Sequence, residues 1–156
     1  MRLNREKRKP NICFVASSGG HCEELKNLDT LKEKYSGFYV TEKTDFHYDA
    51  KYLLPSTGSN DLRVVFKMMF LCIQALIIWI KEKPDLVIST GALICIPFWM
   101  LARVFGKKVI FIETYARVRN GSKTGKFMYK HSDLFIIQWE SLREVYPNAV
   151  FGGSIF

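Results

Sequence analysis

The chain has 156 residues, with 23 Lys and Arg against 15 Asp and Glu, a net charge of +8 and a pI near 9.4. That length builds one ordinary domain around its own core and leaves no room for a second, while the positive balance favours an anionic partner. Cys13, Cys22, Cys72 and Cys95 show no C-x-x-C spacing and mostly sit in or beside apolar runs, which excludes a disulfide framework and reads as reduced thiols in a cytosolic setting.

Residues 1–10 form a basic arm, with Arg2, Arg5, Lys7, Arg8 and Lys9 ahead of the first apolar run. Such an arm either touches anionic head groups or is a solvated tail. The run behind it is shorter than the roughly 7–15 residues of a secretory core, so no secretory signal is expected. Residues 11–25, NICFVASSGGHCEEL, then pass from apolar sequence into two serines, two glycines and a histidine. Ile12, Phe14 and Val15 suit a parallel strand buried on both faces. Ser17 and Ser18 offer hydroxyls, Gly19 and Gly20 let the backbone turn close to a ligand, and Glu23 and Glu24 occupy a first helical turn, where the dipole favours acids. His21 stands at the carboxyl end of the strand, where open α/β sheets place ligands.

Leu25, Leu28, Leu31 and Tyr35 predict one helix over 23–35, followed by a turn at Gly37 into a strand at 38–41. A short strand at 52–54 is closed by Pro55. A long helix over 61–83, a strand at 85–90, a second apolar helix over 92–105 and a strand at 108–113 come next. A basic loop at 116–126, a strand at 134–137, a short helix near 140–146 and an apolar end at 149–156 complete the chain. Alternation of strands and helices without repeats or linkers is the pattern of an α/β domain: a Rossmann-like parallel sheet with helices on both faces.

The stretch 68–80, MMFLCIQALIIWI, is apolar nearly all the way round, interrupted by Gln74 alone. At about 13 residues it is too short to span a bilayer and suits either a buried helix or one lying in the membrane interface. Met69, Phe70, Ile73, Ile77 and Trp79 are its candidate membrane contacts, bracketed by Lys67, Lys81 and Lys83. The stretch 92–102 repeats the theme with Trp99 and a flanking Arg103. Either both helices cover the sheet, or at least one docks on a membrane or partner chain, because two such surfaces are hard to hide in a small domain.

Two further loops leave the same edge of the predicted sheet. Ser89, Thr90 and Gly91 open the second apolar helix with hydroxyls and backbone N–H groups. Glu113 ends a buried strand, an expensive place for a carboxylate unless it pairs or works, and Thr114 and Tyr115 follow it. The basic loop behind, with Arg117, Arg119, Lys123 and Lys126, either clasps a phosphate or is a solvated connection. A P-loop and a G-x-G-x-x-G fingerprint are both missing, which disfavours an NTPase or an NAD enzyme. His21, His47 and His131 lie too far apart in sequence for a metal motif, so no metal is expected. Charge alone recommends a nucleic acid partner, and the cleft loops and apolar helices recommend another kind, so no nucleic acid is expected.

Taken together, SSGGH with Glu24 three residues on, STG before an apolar helix, a strand ending in IET, and the end FGGSIF resemble the membrane-recruiting subunit of two-part N-acetylglucosaminyltransferases. That subunit serves the second step of dolichol-linked oligosaccharide assembly, and bacterial relatives occur in capsule and exopolysaccharide gene clusters. The resemblance covers nearly the whole chain. It implies the amino-terminal half of a GT-B glycosyltransferase, akin to the enzyme that completes peptidoglycan lipid II. In that role the chain binds a polyprenyl-diphosphate-linked acceptor at the cytoplasmic face of the membrane, as a peripheral or monotopic protein. A separately encoded subunit binds the UDP-sugar donor, and this chain alone holds no cofactor.

The resemblance further implies that Ser17, Ser18, Gly19, Gly20, Glu24, Ser89, Thr90, Gly91, Thr114 and Tyr115 line the acceptor cleft. His21 and Glu113 are the expected catalytic pair, with His21 as base and Glu113 orienting or replacing it. Phe151, Gly152, Ile155 and Phe156 are expected to pack on the partner. Ser17 departs from the glycine often first in the loop, and no long amino-terminal anchor precedes the strand, so attachment is expected to rest on residues 2–9 and the apolar helices. A non-catalytic membrane adaptor and a self-sufficient small transferase are the alternatives.

Overall fold

The computed structural model describes residues 8–45, 49–56 and 63–155. Seven parallel strands form one sheet: β1 (Asn11–Ala16), β2 (Ser36–Glu42), β3 (Tyr52–Leu54), β4 (Leu86–Gly91), β5 (Lys108–Ile112), β6 (Leu134–Ile137) and β7 (Val150–Phe151). Their order is β3-β2-β1-β4-β5-β6-β7, so the winding direction reverses between the central strands β1 and β4. The helices are α1 (Gly20–Lys26), α2 (Asp29–Lys34), α3 (Arg63–Glu82), α4 (Cys95–Val104) and α5 (Lys123–His131), with a 3-10 turn at Glu140–Glu144. The fold is thus the expected Rossmann-like α/β sheet, with helices on both faces.

The pleat divides each strand between two cores. Cys13, Val15, Phe38, Val40, Val87, Val109, Phe111, Phe135 and Ile137 face α3, α4 and α5 in the larger one. Ile12, Phe14, Tyr39, Ile88 and Ile112 face α1 and α2 in the smaller one, where Ile110 and Ile136 remain half-buried.

Three elements differ from the sequence reading. The predicted helix over 23–35 is two helices, α1 and α2, broken at Asn27 and Leu28, with Leu25 buried in the smaller core and Leu28 and Leu31 packed against it. Gly37 lies inside β2, where a Cβ would stand 2.8 Å from the Phe14 ring, so the glycine makes room for that ring rather than for a turn. The basic loop ends early, since Ser122 accepts the Gly125 N–H and starts α5 at Lys123.

The long helix combines the two readings of it. Leu71, Ala75, Ile78 and Trp79 face the core, whereas Val65, Phe66, Met69, Phe70, Ile73, Leu76, Ile77 and Ile80 are exposed. Trp79 therefore belongs to the core and not to the outer surface: it is 4% exposed and stacks on Phe105, with ring centroids 5.7 Å apart. Trp99 is half-buried and donates its indole N–H to the His131 carbonyl, which fixes α4 against α5. Among the described residues no helix is long and apolar enough to cross a membrane.

Two aspartates register the amino edge of the sheet. Asp85 accepts the Asn11 backbone N–H at 3.0 Å and binds Arg8 and Lys107, and Asp133 accepts the Val109 N–H at 2.9 Å and binds Lys108. The end of the basic arm is therefore tied down at Arg8. Partial burial opposes ionisation of Asp85, but the Asn11 N–H, Lys107 and Arg8 outweigh it and bring its carboxyl down to about 2. The depressed value means that the folded state favours the carboxylate, so the stabilisation is complete above the ordinary value near 3.8 and is lost as pH falls toward 2. Asp85→Asn is expected to cost about 1–2 kcal/mol at pH 6, after discounting for solvent screening, and nearly nothing at pH 2. Urea unfolding of both proteins across that range measures the convergence.

Candidate functional site

The carboxyl ends of β1, β4, β5 and β6 bring together most residues singled out in the sequence, at the point where the sheet reverses its winding. A register shift at Ala16 sets it opposite Gly91, and the Ser17 N–H donates to the Gly91 carbonyl at 2.8 Å. The Thr90 hydroxyl donates to the His21 carbonyl at 2.6 Å, and Ser89 accepts the Gly91 N–H. These bonds fasten the loop after β1 to the loop after β4. Gly91, at φ +114°, brings its backbone against the imidazole: a Cβ there would stand 3.1 Å from His21 Cε1 in a conformation that L side chains rarely adopt. Nδ1 of His21 is buried and has no hydrogen-bond partner.

Burial separates the candidates into two sets. Ser89, Thr90, Thr114, Glu24 and Glu113 are buried, with their polar atoms engaged inside the protein. Ser18, Gly19, Gly20, His21 and Tyr115 reach the surface, and open space lies over both glycines. The second set forms an open shelf; the first holds it in place.

The two acids have separate tasks. Glu24 follows His21 by three residues on one face of α1 and accepts the Thr114 hydroxyl at 2.7 Å and the Tyr115 N–H at 2.9 Å. Burial pushes its carboxyl up from the ordinary carboxylate range, against these hydrogen bonds and the nearby His21 imidazole. Glu113 turns elsewhere. Its Oε2 accepts the Tyr146 hydroxyl at 2.6 Å and the Ser122 N–H at 3.1 Å, its Oε1 accepts the Thr114 N–H, and a Cβ on Gly125 would stand 1.9 Å from Oε2. Burial and this carboxylate raise the Tyr146 hydroxyl strongly. Of the two acids, Glu24 is thus the one that interacts with His21 through its charge, and Glu113 anchors the start of α5.

Gln138 was not singled out in the sequence, where a lone polar residue after a short strand carries no signal. It is buried, donates to the Glu113 carbonyl at 3.0 Å and to Glu24 at 3.4 Å, and accepts the Ile155 N–H at 3.1 Å. The carboxyl-terminal segment is thereby joined to the site. Of its candidate partner residues, Phe151 is exposed in the edge strand β7, Gly152 packs over Ile136, Ile155 leans on the smaller core, and Phe156 lies outside the described residues. Among the described residues no group of His, Cys, Asp and Glu is placed to hold a metal.

A parallel sheet with its polar shelf at the switch point defines a class of fold, the Rossmann-like α/β domain. The chain superposes on MurG of Acinetobacter baumannii (TM-score 0.65, 14% identity, 85% of this chain and 42% of that one). It also superposes on UDP-N-acetylglucosamine 2-epimerase of Rickettsia bellii (TM-score 0.73, 14% identity, 95% and 46%). The chain spans less than half the length of either protein, and the likeness is one of fold. The model of the family described as oligosaccharide biosynthesis protein Alg14 like matches residues 56–155. UDP-N-acetylglucosamine transferase subunit ALG14 of Homo sapiens is 32% identical over 185 residues, covering 93% of this chain and 82% of the relative. That of Rattus norvegicus is 42% identical over 177 residues (92% and 82%), and that of Schizosaccharomyces pombe 31% over 188 (98% and 88%). This chain belongs to the Alg14 family.

Removing the Tyr146 hydroxyl leaves a buried carboxylate oxygen short of a donor, so Tyr146→Phe is expected to destabilise the fold by about 1–3 kcal/mol. Ser18→Ala, on the open shelf, is expected to stay within about 0.5 kcal/mol. Denaturant midpoints of the two variants test the division between scaffold and shelf.

Proposed function

We propose that this chain is the acceptor-side subunit of a two-part glycosyltransferase of polysaccharide or lipid-linked oligosaccharide synthesis, working with a separately encoded subunit that binds the UDP-sugar. The observation that carries this reading is the open shelf itself. Ser18, Gly19, Gly20 and His21 reach the surface on a chain that spans less than half the length of the proteins it superposes on. A site exposed in this way excludes water only when a second body closes over it.

In the closed pair, His21 takes the proton of the attacking acceptor hydroxyl. Glu24 lies on the same helical face and interacts with this base through its charge. Thr90 and Gly91 hold the His21 backbone and ring. The departing nucleotide diphosphate stays with the donor-binding subunit. The exposed edge strand β7, with Phe151, and the segment through Ile155 offer that subunit a surface next to the site, joined to it through Gln138. The apolar stripe of α3, with Met69, Phe70, Ile73 and Ile77, rests on the cytoplasmic face of the membrane.

Transfer from a panel of nucleotide sugars to lipid-linked acceptors, with this chain alone, the donor-binding subunit alone, and both, is expected to give turnover only with both. Turnover by this chain alone overturns the reading. His21→Ala is expected to lower transfer by about a hundredfold or more while the variant still co-purifies with the partner; full activity removes His21 as the base. Ile73→Ser combined with Ile77→Ser is expected to release the chain from vesicles containing anionic lipid, read by co-sedimentation.

A further inference from the structure

The two ring nitrogens of His21 lie in different surroundings. A Cβ on Gly91 would stand 3.1 Å from Cε1, 3.2 Å from Nδ1 and 3.7 Å from Nε2, so the Gly91 backbone lies against the Nδ1–Cε1 edge of the ring. The residue as a whole reaches the surface, and of its two nitrogens only Nδ1 is buried without a partner. The polar groups around it are committed elsewhere. The Gly91 carbonyl accepts the Ser17 N–H at 2.8 Å, the Ser89 hydroxyl oxygen accepts the Gly91 N–H at 3.1 Å, and the Thr90 hydroxyl donates to the His21 carbonyl at 2.6 Å. Glu24 interacts with the imidazole through its charge, but its oxygens take the Thr114 hydroxyl, the Tyr115 N–H and the Gln138 amide.

A neutral imidazole carries one proton, and the surroundings of each nitrogen decide which one holds it. On Nδ1 the proton would make a buried N–H with no acceptor, pointed at the Gly91 Cα–H that takes the place of a side chain. A bare Nδ1 accepts that C–H as a weak donor. The unmet cost of a buried donor therefore favours the proton on Nε2 by about tenfold. We propose that His21 of the chain alone is held as the Nε2–H tautomer, and that assembly with the donor-binding subunit turns the ring off Gly91 and converts it to the Nδ1–H tautomer. One proton passes from Nε2 to water and one from water to Nδ1, so the ring stays neutral. Only the second form carries on Nε2 the lone pair that takes a proton from a sugar hydroxyl; the first is a hydrogen-bond donor there. The ring is free to turn, because Thr90 holds His21 by its backbone carbonyl and open space lies over Gly19 and Gly20. The switch rests on reading the chain as one subunit of a two-part transferase, and it gives the chain alone an idle base as well as an open site.

Nitrogen NMR tests it, because protonated and bare ring nitrogens resonate far apart. The full chain, carrying isotope-labelled histidine, is measured in detergent alone and then with the unlabelled donor-binding subunit and UDP. The chain has three histidines, and His21→Gln removes one set of ring signals and so assigns it. In the chain alone Nδ1 is expected to be bare and Nε2 protonated, and in the pair the two nitrogens are expected to exchange roles. A glutamine amide still donates but has no nitrogen lone pair to take a proton, so His21→Gln is expected to lower transfer by the pair about a hundredfold or more. A protonated Nδ1 in the chain alone overturns the proposal. An active pair that keeps the Nε2–H tautomer, or His21→Gln with nearly full transfer, overturns the switch and leaves the two-part transferase intact. Exchange of the tautomer in a pair that transfers no sugar overturns the transferase reading alone, and neither exchange nor transfer overturns both.

Discussion

Two carboxylates buried at the carboxyl edge of the sheet constrain everything around them. A charged group removed from water is tolerated only where donors replace the water, and the supply of donors decides how the loops lie. Glu24 takes its donors from Thr114, Tyr115 and Gln138, and Glu113 takes its from Thr114, Ser122 and Tyr146. Each acid thus binds loops distant in sequence, and together they tie α1, the ends of β5 and β6, and the start of α5 into one platform. The shelf with Gly19, Gly20 and His21 stands on that platform without supplying its own rigidity. Separation of support from surface lets a site be both open and well placed.

The rest of the molecule is covered unevenly. One face of the sheet carries three helices, and the other carries two short ones that leave Ile110 and Ile136 half-buried. The long helix α3 buries one side and exposes eight large apolar residues on the other, an arrangement that costs solubility unless a membrane or a second chain covers it. Apolar surface on one flank, an open shelf at one edge and the edge strand β7 are the surfaces to which the proposed function assigns a membrane and a partner.

Much of this was legible from residue order. Near-continuous apolar runs identified the parallel strands, because a strand covered on both faces has no polar side to alternate with. The abrupt halt at SSGGH pointed to the candidate site, since a buried strand rarely ends in two glycines and a histidine without cause. The break between α1 and α2 was hidden because Leu25, Leu28 and Leu31 keep helical spacing across it. The start of α5 was hidden by Gly121 and Gly125, which read as loop residues; Gly125 is in fact the point where a helix passes close over Glu113.

The sequence by itself determined the fold class, the strand set, the loop that carries the histidine and the excess of apolar helix surface, because these depend on local composition and periodicity. Only the tertiary structure decided which loops each buried acid ties together, that Trp79 faces the core, and that Gln138 joins the carboxyl-terminal segment to the site. Those outcomes depend on the rotation of each helix about its axis and on which buried donor lies within reach. Contacts made across 90 or more residues, such as that from Glu24 to Thr114, leave no trace in the neighbourhood of either residue.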